Sequence, residues 1–382
     1  MADARAPLAG LRVVEMARIL AGPWIGQTLA DLGADVIKVE SPAGDDTRKW
    51  GPPFIDVEGE NTAAYFHCCN RGKRSIVLDF KTEDGQRTLE RLIAGCDVFI
   101  ENFKVGGLAK HGFDHDAVRE RHPAVIYCSV TGFGQTGPYA RRAGYDFLVQ
   151  GMGGIMSVTG EPDGLPQKMG VAFSDIFTAL YGVIGIQAAL AERQRTGRGQ
   201  HIDLSLYDSI VAVMANQASN QLIGGVTPNR LGNAHPNIVP YQVFACADGH
   251  IIAAVGNDGQ FERFCRLLGC SELALDPAYA TNPARVAHRD QLVPLLVDAI
   301  APWRKAELLE AMERAVVPGA PINTLADVFV DPQIVSRGLR IEPQGVPGVR
   351  TPLQFSDATL DLSRRSPNLG EHTEEILGEI AP

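Results

Sequence analysis

The sequence predicts an α/β protein, with a Rossmann-like parallel sheet in a large domain and a smaller α+β domain beside it. Three observations carry this. Short runs rich in Val and Ile alternate with helix-length stretches as far as Gly199. After Val226 the texture changes to a Pro- and Asn-rich loop followed by an alternating, hairpin-like segment. The chain has 382 residues, too many for one ordinary core.

The elements follow in order. "LRVVEMA" is a strand, "GPWIGQTLADLG" a helix stopped at Gly33, and "ADVIKVE" the next strand. After a loop rich in Asp, Gly and Pro, "RSIVLDF" is a strand and "TEDGQRTLERLIAGC" a helix opened by Thr82. "DVFIENF" is a strand, "GLAKHGFDHDAVRERH" is helical, and "AVIYCSVTGFG" is a strand running into a glycine turn. In such a sheet, ligands bind beyond the C-terminal strand ends. Those ends carry Glu40, Asn102-Phe103 and Thr131-Gly132-Phe133-Gly134. No G-x-G-x-x-G follows the first strand, which argues against a nicotinamide enzyme. "QHIDLSLYDSIVAVMANQASNQLIGG" reads as a strand and then a helix.

"YQVFACADGHIIAAVG" reads as a hairpin turning at Asp248-Gly249, and three helical patterns follow it. The expected division is 1–225 for the first part of the large domain, 226–321 for the small domain, and 322–382 for a returning segment. That segment adds a strand at "GVRTPLQFSDA" and ends in a short amphipathic helix opened by Thr373.

Composition bounds the function. The formal net charge of −10 argues against nucleic acid or an anionic membrane as the main partner. Seven Cys without a C-x-x-C pair read as reduced cytoplasmic thiols, not as a zinc site or disulfide framework. Ile176 to Leu190 is apolar but shorter than a bilayer span and reads as a core helix.

Asp175 stands out. Ser174-Asp175 follows a Gly-rich stretch and opens the long apolar segment. Free backbone N–H groups and the helix dipole favour its ionised form, while apolar surroundings strip it of water. A charged, poorly solvated carboxylate suits covalent acyl transfer. On position alone, a plain helix N-cap is the commoner explanation of such an Asp.

"GLRVVEMARILAGPWIGQTLADLGADVIKVE", "NRGKRSIVLDFKTEDG", "CDVFIENF", "GFGQTGPYARRAGYDF" and "GVAFSDIFTALYGVIGIQAALAERQRTGRGQHIDLSLYDS" resemble the class III coenzyme A-transferases over nearly the whole chain. "NRLGNAHPNIVPYQVF" and "GNDGQFERFCRLLG" look most like the branch that uses dicarboxylates, such as the succinyl-CoA:glutarate transferases. The resemblance implies an interlocked homodimer, acyl-CoA and a small carboxylic acid as substrates, no permanently bound cofactor and no metal. It implies Asp175 as nucleophile. It also implies CoA contacts at Arg18, Ile19, Leu20 and Ala21, at Leu78 and Lys81, and at Asn102, Phe103 and Lys110.

Relatives carry an Arg where this chain has Ser41, and Arg48 or Arg74 could replace it. For the distal carboxylate of a diacid, the candidates are Arg48, Arg230 and His235. Tyr145 and Asp146 are expected near the active site. The racemase branch has His at the position of Tyr145, and a phenol is a poor base near neutral pH, so transfer is favoured over racemisation. A CoA-binding protein without chemistry is the third reading. For the oxyanion, Gly151 to Gly154 and Gly224-Gly225 are the candidate donors.

Overall fold

The computed structural model describes residues 6–381. The chain folds as two compact units, 1–155 with 168–225 and 332–382, and 156–167 with 226–331.

The larger unit is built on strands β1 (Arg12–Glu15), β2 (Asp35–Glu40), β5 (Arg74–Val77), β6 (Val98–Glu101), β7 (Ile126–Thr131) and β8 (His201–Ser205). They form one sheet in the order β5-β2-β1-β6-β7-β8, parallel throughout. Such strands are covered on both faces, which is why they read as runs of Val and Ile without alternation. Val14 pairs with Ile37 on one side and Phe99 on the other, and all three are fully buried. From β1 the chain passes to β2 on one side and later to β6 on the other. A crevice therefore opens between the loops after β1 and β6.

The helices of this unit are α1 (Ala21–Asp31), α2 (Ala64–His67), α3 (Glu83–Ala94), α4 (His115–Arg121) and α5 (Asp146–Met152). The short α6 (Ile155–Val158) falls, but for Ile155, in the other unit; α7 (Phe173–Thr196), α8 (Leu206–Ala212) and α9 (Ala215–Gly224) complete this one. Thr82 caps α3 as expected, its hydroxyl accepting from Gly85 N–H at 3.1 Å. The single helix expected over "GLAKHGFDHDAVRERH" is broken by Gly112, at φ 73°, between a 3-10 turn and α4. A hairpin of β3 (Phe54–Val57) and β4 (Glu60–Ala63) occupies the stretch expected to be loop. Near the C-terminus, the expected strand is reduced to Gly348–Val349 paired with Arg340–Ile341. The last helix, Thr373–Glu379, starts at Thr373, whose hydroxyl accepts from Val77 N–H of β5 at 3.2 Å.

One helix, α7, is long and apolar enough to cross a membrane by length and composition alone. It packs against α1, α5, α8, β7 and β8, but it is not the fully enclosed core helix expected. Leu180, Tyr181 and Ile184 stay exposed on its other face.

The smaller unit holds the expected hairpin, β9 (Tyr241–Cys246) and β10 (Gly249–Ala254), with β11 (Gly319–Pro321) antiparallel to β10. Ala247-Asp248 make the turn, since Gly249 already pairs with Cys246. Its core joins Phe244, Phe261, Phe264, Leu292, Leu296 and Leu308. Residues 156–167 belong here and not with the large unit, because Gly232 N–H donates to Gly160 O at 3.0 Å. The chain returns to the large unit at 332 and not at 322.

Candidate active site

A cleft of about 480 Å³ opens at the crevice, lined entirely by the larger unit. The β1–α1 turn supplies Arg18, Ile19, Leu20 and Ala21, the loop after β5 Phe80 and Lys81, and the loop after β6 Asn102, Phe103, Lys104 and Lys110. Gly132, Arg142, Gly144, Tyr145, Asp146 and Asp175 line another part of it. Most of the expected contact residues thus converge, because each follows the C-terminal end of a parallel strand.

Local chemistry explains the shape. Asn102 staples the two loops: its carbonyl oxygen accepts from Arg18 N–H at 3.0 Å and its amide donates to Arg18 O at 2.7 Å. Its side chain therefore holds the wall together. Glu101 accepts from Phe103 N–H at 2.7 Å, and burial pushes its carboxyl up to about 7. Phe80 meets Phe103 edge-on at 5.5 Å and His111 at 5.4 Å, an aromatic wall beside Lys81 and Lys110. Gly132 and Gly144 let two backbones touch, since a Cβ on Gly132 would lie 2.5 Å from Gly144 Cα. This contact sets where Tyr145 and Asp146 begin α5.

Asp175 sits in the first turn of α7, with Ala172 rather than Ser174 at the N-cap. The N–H groups expected to hold it ionised are taken by another residue. Asp146 Oδ1 accepts from Ser174 N–H at 2.9 Å, from Ser174 Oγ at 2.5 Å and from Asp175 N–H at 3.4 Å. Gln150 Nε2 donates to Asp146 Oδ2 at 2.7 Å. Asp146 is therefore the cap of α7, reached from α5, and its carboxylate is engaged rather than free for substrate. Asp175 itself is buried with this second carboxylate close by. Desolvation first and Asp146 second push its carboxyl up to about 7. Water exclusion, not the helix terminus, dominates its charge.

Several expected residues lie elsewhere. Leu78 is buried in the hydrophobic core and does not line the cleft. Arg48 is 7% exposed and fully committed: it forks onto Glu40 at 2.9 and 2.7 Å, reaches Glu60 at 2.9 Å, and stacks 3.7 Å from the Phe66 ring centroid. Arg74 is likewise bound to Asp35, Glu375 and Glu379, so neither arginine replaces the one missing at Ser41. In the smaller unit, Arg230 donates to the carbonyls of Glu161, Pro162 and Gly164. His235 Nδ1 accepts from Asn237 N–H at 3.0 Å, and burial, with Arg289, lowers its pKa. Both close loops there. Gly153 packs against Ile210, and Gly224-Gly225 end α9, so none of the glycines expected to bind the oxyanion lines the cleft.

The sequence pattern does not single out Phe80, Lys104, His111 or Arg142. Lys104 sits beside the strand-end Phe103, and Phe80 beside Lys81, which the family resemblance implies, so adjacency is the one available signal. Arg142 stacks 3.9 Å from the Tyr139 ring centroid and has no carboxylate partner among the described residues.

The chain that builds this site, a buried carboxylate on a cation-rimmed cleft at the switch point of a parallel sheet, is similar to known proteins along its length. The family model for CoA-transferase family III matches residues 8–373. The chain is 55% identical to the succinate–glutarate CoA-transferase of Agrobacterium fabrum, over 100% of this chain and 97% of that one. It is 40% identical to the human succinyl-CoA:glutarate CoA-transferase, over 98% of this chain and 86% of that one. A crystal structure of a CaiB/BaiF family protein from Brucella suis superimposes with a TM-score of 0.90 at 62% identity, covering 99% of this chain and 100% of that one. With a matching fold and sequence along nearly its whole length, the chain belongs to CoA-transferase family III.

Proposed function

We propose that this protein moves CoA from succinyl-CoA to a small dicarboxylate such as glutarate, with Asp175 as the covalent carrier. The observation that carries the reading is the placement of Asp175: buried, on the cleft, and raised to about 7. An ionised oxygen there is poorly solvated and reactive. Its Oδ attacks the thioester carbonyl, the C–S bond breaks, and CoA thiolate leaves a mixed anhydride. The thiolate attacks the Asp175 carbonyl carbon, and the anhydride C–O bond breaks to release succinate. The aspartyl-CoA thioester is then attacked by the acceptor carboxylate, and the thiolate departs. The thiolate finally attacks the acceptor carbonyl and frees Asp175. No proton is gained or lost overall, and each step exchanges one activated acyl group for another.

The cleft suits the thioester. Lys81, Lys104, Lys110 and Arg142 present cationic groups to an anionic ligand despite the acidic chain. The Phe80–Phe103 pair offers an apolar edge to the adenine or pantetheine. Names of the relatives support succinate and glutarate as the acids. Tyr145, 60% exposed on the cleft rim, gives no strong base for racemisation.

Succinyl-CoA incubated with a panel of mono- and dicarboxylic acids should yield new thioesters, with four- and five-carbon diacids converted fastest. Equal rates for monoacids of the same length would refute the diacid reading. With succinyl-CoA alone, hydroxylamine should leave a hydroxamate at Asp175 in the peptide mass map; an adduct elsewhere would refute the carrier.

The exposed apolar face of α7 supports the further reading of a homodimer. Interlocked chains are the expectation from family likeness, and work in the cytoplasm is the expectation from scattered Cys without a C-x-x-C pair. Sedimentation at nanomolar concentration should still give a dimer, and an active monomer would refute it.

A further inference from the structure

The turn between β1 and α1 is strained. Ile19, a β-branched residue, has φ 74°. L residues of this shape avoid the left-handed region, and such outliers persist only where their surroundings enforce them. The enforcement here is a buried ionic cluster under the turn. Asp45 accepts from Ile19 N–H at 3.3 and 3.4 Å, and Cys69 Sγ lies 3.5 Å from Ile19 O. Lys38, 0% exposed, donates to Ala17 O at 2.9 Å and lies 3.0 Å from Asp45 Oδ2 and 3.2 Å from Glu15 Oε1. Thr47 fixes the Asp45 carboxylate with its N–H at 3.0 Å and its hydroxyl at 2.8 Å.

Helix α1 follows without slack, since a Cβ on Gly22 would lie 2.2 Å from Ala17 Cβ. Burial alone would lower the Lys38 ammonium, but Asp45, Glu15 and Glu40 hold it above its ordinary value. The pair is thus charged inside the protein. A buried pair of this kind is by itself a weak source of net stability, because desolvation offsets its attraction. Lys38 and Asp45 do not line the cleft, whereas Arg18 to Ala21 do.

We propose that the buried Lys38–Asp45 pair is a positioning device, which holds Ile19 left-handed so that the Arg18–Ala21 turn is preformed to receive the CoA moiety. This rests on the cleft being the CoA site. The pair touches no ligand and acts through the backbone it restrains.

A double-substitution cycle tests it, with CoA affinity read by calorimetry on the full chain. Asp45→Asn should weaken CoA about tenfold, within the range that one strained residue represents. Adding Ile19→Gly should restore most of that loss, because glycine adopts positive φ without penalty. Ile19→Gly alone should change affinity less than Asp45→Asn does. A purely structural role would not give this rescue. If Asp45→Asn is insoluble, Lys38→Met takes its place in the same cycle. Unchanged CoA affinity in a folded Asp45→Asn or Lys38→Met protein would overturn the proposal. So would losses that multiply when Ile19→Gly is added. Wild type that fails to bind CoA would overturn the cleft assignment as well, which separates the two failures.

Discussion

Asp175→Asn should abolish transfer and yet make the protein more stable at pH 8. Asparagine keeps the shape but has no carboxylate to attack a thioester. The stability gain follows from linkage. The Asp175 carboxyl titrates near 7 in the folded protein against an ordinary value of 3.8. Between those values the unfolded chain gives up its proton first, so stability falls as pH rises through that window and stays reduced above it. The penalty removed at pH 8 is roughly 2–4 kcal/mol, and it shrinks as the pH is lowered to 5. Urea unfolding of both proteins at pH 8 and pH 5 measures it. The same charge predicts that kcat/KM of the wild type rises through about pH 7. Asp146→Asn removes the like charge and should move that midpoint to lower pH. A stability gain that is the same at both pH values would show that Asp175 is ionised in the fold like any surface carboxylate.

Arg48→Ala should fail by unfolding, not by a change of substrate. Its guanidinium satisfies both oxygens of Glu40, which is itself buried. Removing it leaves that buried carboxylate with Asp45 N–H and the Ser75 hydroxyl as donors but without its forked ion-pair partner, at a cost of about 3–5 kcal/mol. Pro367 O and the Phe66 ring lose a partner as well. Thermal unfolding should shift down by many degrees, while the diacid-to-monoacid rate ratio of whatever remains folded is unchanged. A stable variant with a collapsed ratio would return Arg48 to the substrate site.

Arg48 also marks where the sequence stopped being informative. The parallel sheet was legible because strands covered on both faces must be Val- and Ile-rich, and the crevice follows from strand order. Hence Asn102 and Phe103 could be placed at a strand end without coordinates, while Arg18, Lys81 and Lys110 came from the family resemblance. What an arginine binds depends on partners far along the chain. Arg48 meets Glu40 and Pro367, and Asp146 caps a helix that begins 27 residues later at Phe173. Local pattern carries neither pairing. Leu78 shows the same limit on a smaller scale, since a residue at a strand end can face the core or the cleft. The place of Asp175 at the start of its helix was legible, but the balance between its dipole and its desolvation was not. Burial tipped that balance first, and Asp146, occupying the N–H groups and adding a like charge, tipped it further.

The larger unit is assembled from segments separated by the smaller one, and synthesis gives that arrangement a time order. Strand β5 lies at the border of the sheet, and what closes over it arrives last: Gly72 N–H donates to Arg364 O and Arg365 O, His372 N–H to Ser75 O, and Val77 N–H to the Thr373 hydroxyl. As the nascent chain leaves the ribosome, residues 226–331 can collapse on their own core while the β5 border still waits for its cover. An uncovered strand border is a template for pairing with other chains. A message that ends early would therefore release a chain that already carries Asp175 but leaves the β5 border open to pairing and aggregation.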